Sequence, residues 1–273
     1  MTDWADWIGR SRTTEDVVTP AMVAGLNATL DAGTVAQASG PAPQGIHWLL
    51  ANPHAPMREI DADGHPRRGE FLPPIDLPRR MWAASEVTYV APIAIGEPLR
   101  ITSTVASITP KTGSTGALVF VAVDHRITAQ DEMRVVERQT IVYREPGGNA
   151  SAHALEPKPA AFERVVTPDP VMLFRYSALT FNAHRIHYDR SYARDVEGYP
   201  DLVVHGPLTA SLLIDLCART FGPNRLKTFA FRGVGPAYVG QALRLCGNRT
   251  DTGLTLEATA DGHVAVRATA TLD

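Results

Sequence analysis

The sequence predicts an α+β chain of two tandem halves, in each of which an antiparallel sheet wraps a helical segment. Three observations carry this expectation. Segments rich in Val, Ile and Thr recur in two series, 81–143 and 227–272, several with the period-two alternation of a half-buried strand. A short repeat, Pro92-x3-Gly96-x2-Leu99-Arg100-Ile101, returns 144 residues later as Pro236-x3-Gly240-x2-Leu243-Arg244-Leu245, and each copy leads into a strand. One long amphipathic helix is expected over 206–221, with Leu208, Leu212, Leu213, Leu216 and Phe221 at helical spacing. It has no clear counterpart in the first half.

Taken in order, the chain opens on a short polar segment, 1–12, whose Trp4 and Trp7 suggest a helix with an aromatic stripe. Thr19-Pro20 reads as N-cap and first residue of a helix reaching Leu30, because proline there gives up no hydrogen bond. The stretch 41–78 is rich in Pro, Gly and charge, including Asp61-Ala-Asp-Gly64 and Pro66-Arg-Arg-Gly69. It is long for a loop in a compact domain, so it is either a lid or a cover over a binding surface. Within it, the apolar His47-Trp-Leu-Leu50 suggests a short, partly buried helix.

Strands are expected at 85–89, 98–108, 117–126 and 134–143, with a turn at Pro110–Gly113 and Gly116. The Pro/Gly-rich connector 147–160 divides an N-terminal domain, 1–146, from a C-terminal one, 161–273. Asp169-Pro170 can start a helix running toward Leu179, and a second short helix is expected over 190–196. After the long helix come strands at 227–233, 241–248, 253–260 and 264–272, the last two joined through Asp261-Gly262, a hairpin signal.

Composition removes several functions. With 44% hydrophobic and 20% charged residues and a net charge of −3, the chain has the balance of a globular protein and lacks the basic footprint of a nucleic-acid binder. No apolar run approaches the ~20 residues of a membrane span, and the start has no basic-then-apolar leader, so a cytoplasmic location is expected. Cys217 and Cys246 lie far apart without metal-type spacing, which reads as two buried thiols in a reducing compartment.

The chemistry concentrates in Leu179-Thr-Phe-Asn-Ala-His-Arg-Ile-His-Tyr-Asp189, with His205-Gly206-Pro207 opening the long helix sixteen residues later. Phe181-Asn-Ala-His-Arg-Ile-His187 resembles the Gly-Asp-x-Asn-Pro-Leu-His motif of MaoC-like hydratases, and His205-Gly206 resembles the His-Gly that opens that family's central helix. The wider run 174–189 is similar to a branch that includes mesaconyl-C4-CoA and itaconyl-CoA hydratases. The resemblance implies a double hotdog, in which curved sheets wrap helices, and a hydro-lyase that reversibly adds water to a short enoyl-CoA, with dicarboxylic esters among the candidates. CoA would be part of the substrate, with no further cofactor and no metal.

By the same resemblance, His187 stands on the family's catalytic histidine, and its ordinary pKa near neutrality suits a proton carrier. Gly206 would present its backbone N–H, at the positive end of the helix, to the thioester oxygen. Asn182 stands where the family has its catalytic aspartate. An amide is no base, but it can hold a water. His184 and Asp189 are then the neighbours able to share the proton steps. Arg175, Tyr176, His184, Arg185 and His205 are the substrate-binding candidates, and each also has a structural reading, as solvated charge, core ring or helix-start residue. His184, His187 and Asp189 lack the helical histidine pair of a zinc site.

Two other classes stay open at this point. A hotdog thioesterase would need a carboxylate in the first turn after Gly206, where none stands. A CoA-ester-binding subunit would bind without turnover. One site per chain and, from exposed strand edges, a homodimer are expected.

Overall fold

In the computed structural model, residues 4–33, 37–113, 116–145 and 159–273 are described. The first half contributes strand β1 (Ser11–Val17), helix α1 (Pro20–Leu30) and strands β2 (Arg79–Tyr89), β3 (Pro98–Gly113), β4 (Gly116–Ala129) and β5 (Glu132–Arg144). The second contributes β6 (Phe162–Val166), α2 (Pro170–Leu179), α3 (Gly206–Phe221), β7 (Leu226–Gly233), β8 (Leu243–Thr250), β9 (Gly253–Ala260) and β10 (His263–Leu272).

The ten strands make one antiparallel sheet in the order β1-β3-β4-β5-β2-β7-β10-β9-β8-β6. The halves meet where β2 pairs with β7, from Ala84 opposite Arg232 to Thr88 opposite Thr228. Outward from that seam, each half lays down its strands in the same sequence, which is the duplication expected from the repeat.

The repeat marks a shared turn. Gly96 and Gly240 both take positive φ, +87° and +82°, just before β3 and β8, a conformation glycine adopts without a Cβ penalty. The repeat also registers the helices. Ile93 O accepts the N–H of Ala42 and Ala237 O accepts that of Val204, each at 2.8 Å. The segment after Ala42 therefore stands where α3 begins in the second half. There the first half has only one buried 3₁₀ turn, Ile46–Leu49. That turn is the short helix expected at His47-Trp-Leu-Leu50.

Helix α3 starts and ends where its apolar spacing predicts, and every residue from Leu208 to Cys217 is buried. It packs on β2 of the first half and on β6 to β10 of the second. Leu243, Leu245, Leu254 and Leu256 close the second sheet around it, each burial worth about 1.5–3 kcal/mol. Helix α1 is capped as expected, Thr19 Oγ1 accepting the N–H of Met22. Asp261 and Gly262, at φ 45° and 77°, make a two-residue turn with both central residues left-handed, which matches the twist of the flanking strands.

Three expectations are corrected. Among the described residues of segment 1–12, which begin at 4, there is no α-helix: a single 3₁₀ turn, Ala5–Trp7, precedes β1, an edge strand on β3. Pro110–Gly113 is not a turn but the end of β3, paired as far as Gly116. Strand β6, on the other edge of the sheet, was not expected at all. The connector 147–160 lies outside the described residues except for 159 and 160. Cys217 and Cys246 are buried, free thiols. Among the described residues, no helix is long and apolar enough to cross a membrane.

Candidate active site

The motif begins where α2 ends. Asp169 Oδ1 accepts the N–H of Met172 at the helix start. At the other end Phe181 turns left-handed at φ +49°, while the N–H of Asn182 returns to Ser177 O at 2.8 Å and that of Phe181 to Ala178 O. These are the two bonds of a Schellman ending, here with a phenylalanine at the position glycine usually takes. They send the chain back toward α3. Asn182 Oδ1 then accepts the N–H of His184 at 3.0 Å, closing a side-chain turn, so a water would have only the amide NH2 and one lone pair of Asn182 left to it.

His187 is buried at 7% exposure, and its Nδ1 donates to Val203 O at 2.7 Å. That bond sets the tautomer and leaves Nε2 with its lone pair. Burial pushes the imidazole down to about 4, against the raising effect of the Val203 bond, so it is neutral near pH 7. Its ring lies flat on that of His205, with centroids 3.6 Å apart. His205, 2% exposed, caps α3 with its backbone only. It bonds Ser177 Oγ through Nε2 at 2.9 Å and leaves Nδ1 unpartnered. Burial, then the neighbouring His187 and His184, hold it well below the ordinary histidine range.

Gly206 follows at the first position of α3, where a helix N–H has no intrahelical acceptor. A Cβ there would meet only Trp82 O at 3.8 Å, an ordinary contact. Packing does not demand the glycine.

The long loop of the first half docks directly on the motif. Asp63 O accepts the N–H of Arg185 at 2.9 Å, and Ala62 O accepts its guanidinium at 3.0 Å. Between loop and motif lies Gly64, φ +92°; a Cβ on it would sit 1.8 Å from Ala183 O, so only glycine permits this approach.

The docking delivers two side chains that sequence reasoning missed. His65 Nδ1 bonds Asp63 Oδ2 at 3.0 Å, and the His65 N–H bonds Asp63 Oδ1 at 2.8 Å. The His65 ring stands 4.1 Å from that of His184, which stands 5.5 Å from His187. Four imidazoles thus form a row, His65, His184, His187 and His205, drawn from both halves.

Burial raises the Asp63 carboxyl, but the His65 ring and backbone bonds outweigh it and hold the group below the usual carboxylate range. Burial lowers His65, opposed by Asp63, with Arg80 and Arg68 adding to the lowering. His184 is pushed down to about 2 by burial, then by His65 and His187. A signal for this dyad existed in the sequence. Asp63-Gly64-His65 puts a carboxylate two residues from an imidazole in a loop too long to be a mere connection.

The other expected residues fall into two groups. Tyr176 is buried, edge-on to His205, with its hydroxyl 3.3 Å from Ser211 Oγ. Arg185 forks onto Asp189 at 2.7 and 3.1 Å, stacks over Tyr192 and anchors the loop. Asp189 also accepts the N–H of Tyr192 through its other oxygen, so both of its oxygens are engaged. Arg175 is exposed and reaches toward Ala28 O on α1, away from the imidazole row. Among the described residues one metal-capable group gathers, Asp63, His65 and His184, with donor atoms all within 4.8 Å. Since Nδ1 of His65 is bonded to the carboxylate itself, the arrangement is that of a carboxylate–imidazole dyad. A surface groove lined by Arg244, Glu257 and Arg267 includes none of these residues.

Residues 45–239 match the family model described as hydroxyacyl-thioester dehydratase type 2. The chain is 44% identical over 275 residues, 99% of its own length and 98% of the other's, to mesaconyl-C(4)-CoA hydratase of Chloroflexus aurantiacus. In fold it is similar to a solved MaoC-like dehydratase, with TM-score 0.76 at 15% identity over 97% of this chain and 98% of that one. It is also similar to a Mycobacterium tuberculosis protein with a double hotdog fold, at TM-score 0.56 and 13% identity over 97% of this chain and 96% of that one.

Proposed function

The chain belongs to the hydroxyacyl-thioester dehydratase type 2 family and is a hydro-lyase of enoyl thioesters, and from that premise we propose that its substrate is a short, dicarboxylic enoyl-CoA of the mesaconyl-C4-CoA type. The observation that carries the mechanism is the stacking of His187 on His205, the residue directly before Gly206. It sets a neutral imidazole with a free Nε2 beside the free N–H groups of a helix start.

Water gives a proton to Nε2 of His187 as its oxygen bonds to the β-carbon. The electron pair of the double bond moves onto the thioester oxygen, which the Gly206 N–H and the positive end of α3 receive. Such a donor is worth about 3–4 kcal/mol in the transition state. The proton then passes from His187 to the α-carbon, so nothing is gained or lost beyond the water. The indifference of packing to a Cβ at Gly206 supports a glycine kept for close approach of the substrate. No metal or cofactor enters this scheme, and activity is expected to survive exhaustive chelation.

The test is loss of enoyl-thioester absorbance with mesaconyl-C4-, itaconyl-, crotonyl- and long-chain enoyl-CoA. The dicarboxylic esters should turn over best, and His187→Ala should lower kcat by about 10²–10⁴-fold. Equal rates for wild type and variant, or thiol release without hydration, would sink the reading. A cytoplasmic homodimer belongs to the same proposal; the two buried, unpaired thiols suit a reducing compartment, and light scattering of the purified protein tests the dimer.

A further inference from the structure

We propose that His65, held by Asp63 and carried in on the first-half loop, is the second group that holds the attacking water, in the place left without a carboxylate at Asn182. The inference rests on the hydration proposed above and adds a residue from the other half of the chain to it.

Four observations carry it. The Asp63 carboxylate takes both the ring Nδ1 and the backbone N–H of His65, which fixes the ring and leaves Nε2 with its lone pair. The ring lies against that of His184, whose own ring stands 5.5 Å from His187, and its side chain keeps 21% exposure. The approach is built in, by Gly64 against Ala183 O and by the paired bonds to Arg185. Finally, two of the three groups expected from the motif are at least partly engaged elsewhere, Asn182 Oδ1 by the N–H of His184 and Asp189 by Arg185 and Tyr192.

In this scheme the water donates one hydrogen bond to Nε2 of His187 and the other to Nε2 of His65. His187 takes the first proton and returns it to the α-carbon. His65 keeps its hydrogen bond to the oxygen as the C–O bond forms and ends hydrogen-bonded to the new hydroxyl. Its own protonation does not change. Asp63 is a positioning residue that keeps Nε2 an acceptor, the service a buried carboxylate renders to a catalytic histidine elsewhere.

The experiment uses the full chain with mesaconyl-C4-CoA and three variants. His65→Leu should lower kcat by about 100-fold or more with KM within about threefold, and His65→Gln, which keeps an acceptor oxygen, should recover about tenfold of that loss. Asp63→Asn keeps an oxygen for the His65 N–H but turns an N–H toward Nδ1, flipping the ring to the Nε2–H form and lowering kcat comparably. A readout that needs no substrate is the imidazole ¹⁵N spectrum. His65 should be Nδ1-protonated in the wild type and Nε2-protonated in Asp63→Asn.

A folded His65→Leu with wild-type kcat, or an Nε2-protonated His65 in the wild type, overturns the proposal. So does activity lost to a chelator and restored by zinc, which would make Asp63, His65 and His184 a metal site. A wild type inactive on every ester fails the hydration reading instead, and the ¹⁵N spectrum still decides the state of His65.

Discussion

Asp63 offers its carbonyl to the backbone of Arg185 and its carboxylate to the ring of His65, so one residue both docks the first-half loop on the motif and aims the imidazole that the loop carries. The long Pro/Gly-rich segment is therefore packed directly against the motif, with Ala62 and Asp63 bonded to Arg185.

The tightest point of that docking is Gly64. Gly64→Ala places a methyl 1.8 Å from Ala183 O at a φ that alanine rarely adopts, and the loop has to lift. Hydration should fall by about tenfold or more. Stability should fall by only about 1–3 kcal/mol, because the loop lies outside the main core. Steady-state kinetics beside a urea melt separates the two effects.

Gly206→Ala should behave in the opposite way. The new Cβ meets Trp82 O at an ordinary 3.8 Å, and alanine is a better helix former than glycine, so the fold should be unchanged or slightly firmer. Hydration should drop by about tenfold or more if the thioester oxygen is received there. An unchanged rate would remove Gly206 from the mechanism.

The buried histidines make stability depend on acid. His187 is held at about 4 in the folded chain by burial, while its unfolded form titrates near 6.5. Between those values the unfolded chain binds the extra proton, so stability is full above about 6.5 and falls as pH drops toward about 4, by up to about 1.4 kcal/mol per unit. His205, lowered by burial and by His187 and His184, acts with the same sign. Urea midpoints at pH 7 and pH 5 should differ accordingly, and His187→Gln should flatten the slope.

In the first half, Glu137 is buried among Trp48 Nε1 at 3.1 Å, Ser85 Oγ at 2.5 Å and His47 Nε2 at 3.4 Å. Glu137→Leu strands all three partners, and a loss of about 3–5 kcal/mol is expected in the same melt. The rate per folded molecule should hold, since none of these residues touches the imidazole row.

Much of the fold was legible because burial leaves a period in the sequence. Helix α3 has its apolar residues at helical spacing, and the strands of both series alternate or run apolar. Strands β1 and β6 escaped because they close the sheet at its edges. Ser11–Val17 is mostly exposed, and its polar residues carry no alternation, while Phe162–Val166 is five residues long. At the site, local motifs point to His187 and Gly206, and the structure brings His187 against His205, the residue before Gly206. Asp63 and His65 left only the weaker signal of a carboxylate and an imidazole two residues apart in an over-long loop, because what makes them matter is a contact with residues far along the chain, which no local period records. Asn182 reads from the sequence as a water-holder; the turn that follows it takes one lone pair of its oxygen and leaves the NH2 and the other.

Covalent tandem joining at the β2–β7 seam has a consequence for how this molecule can change. In a symmetric pair of separate halves, each substitution appears twice, so a helix lost from one copy is lost from both. Here each copy can be substituted independently of the other. One has only the Ile46–Leu49 turn followed by a long loop, while the other has α3. The result is a division of labour within one polypeptide: one copy contributes the reach, the other the helix end.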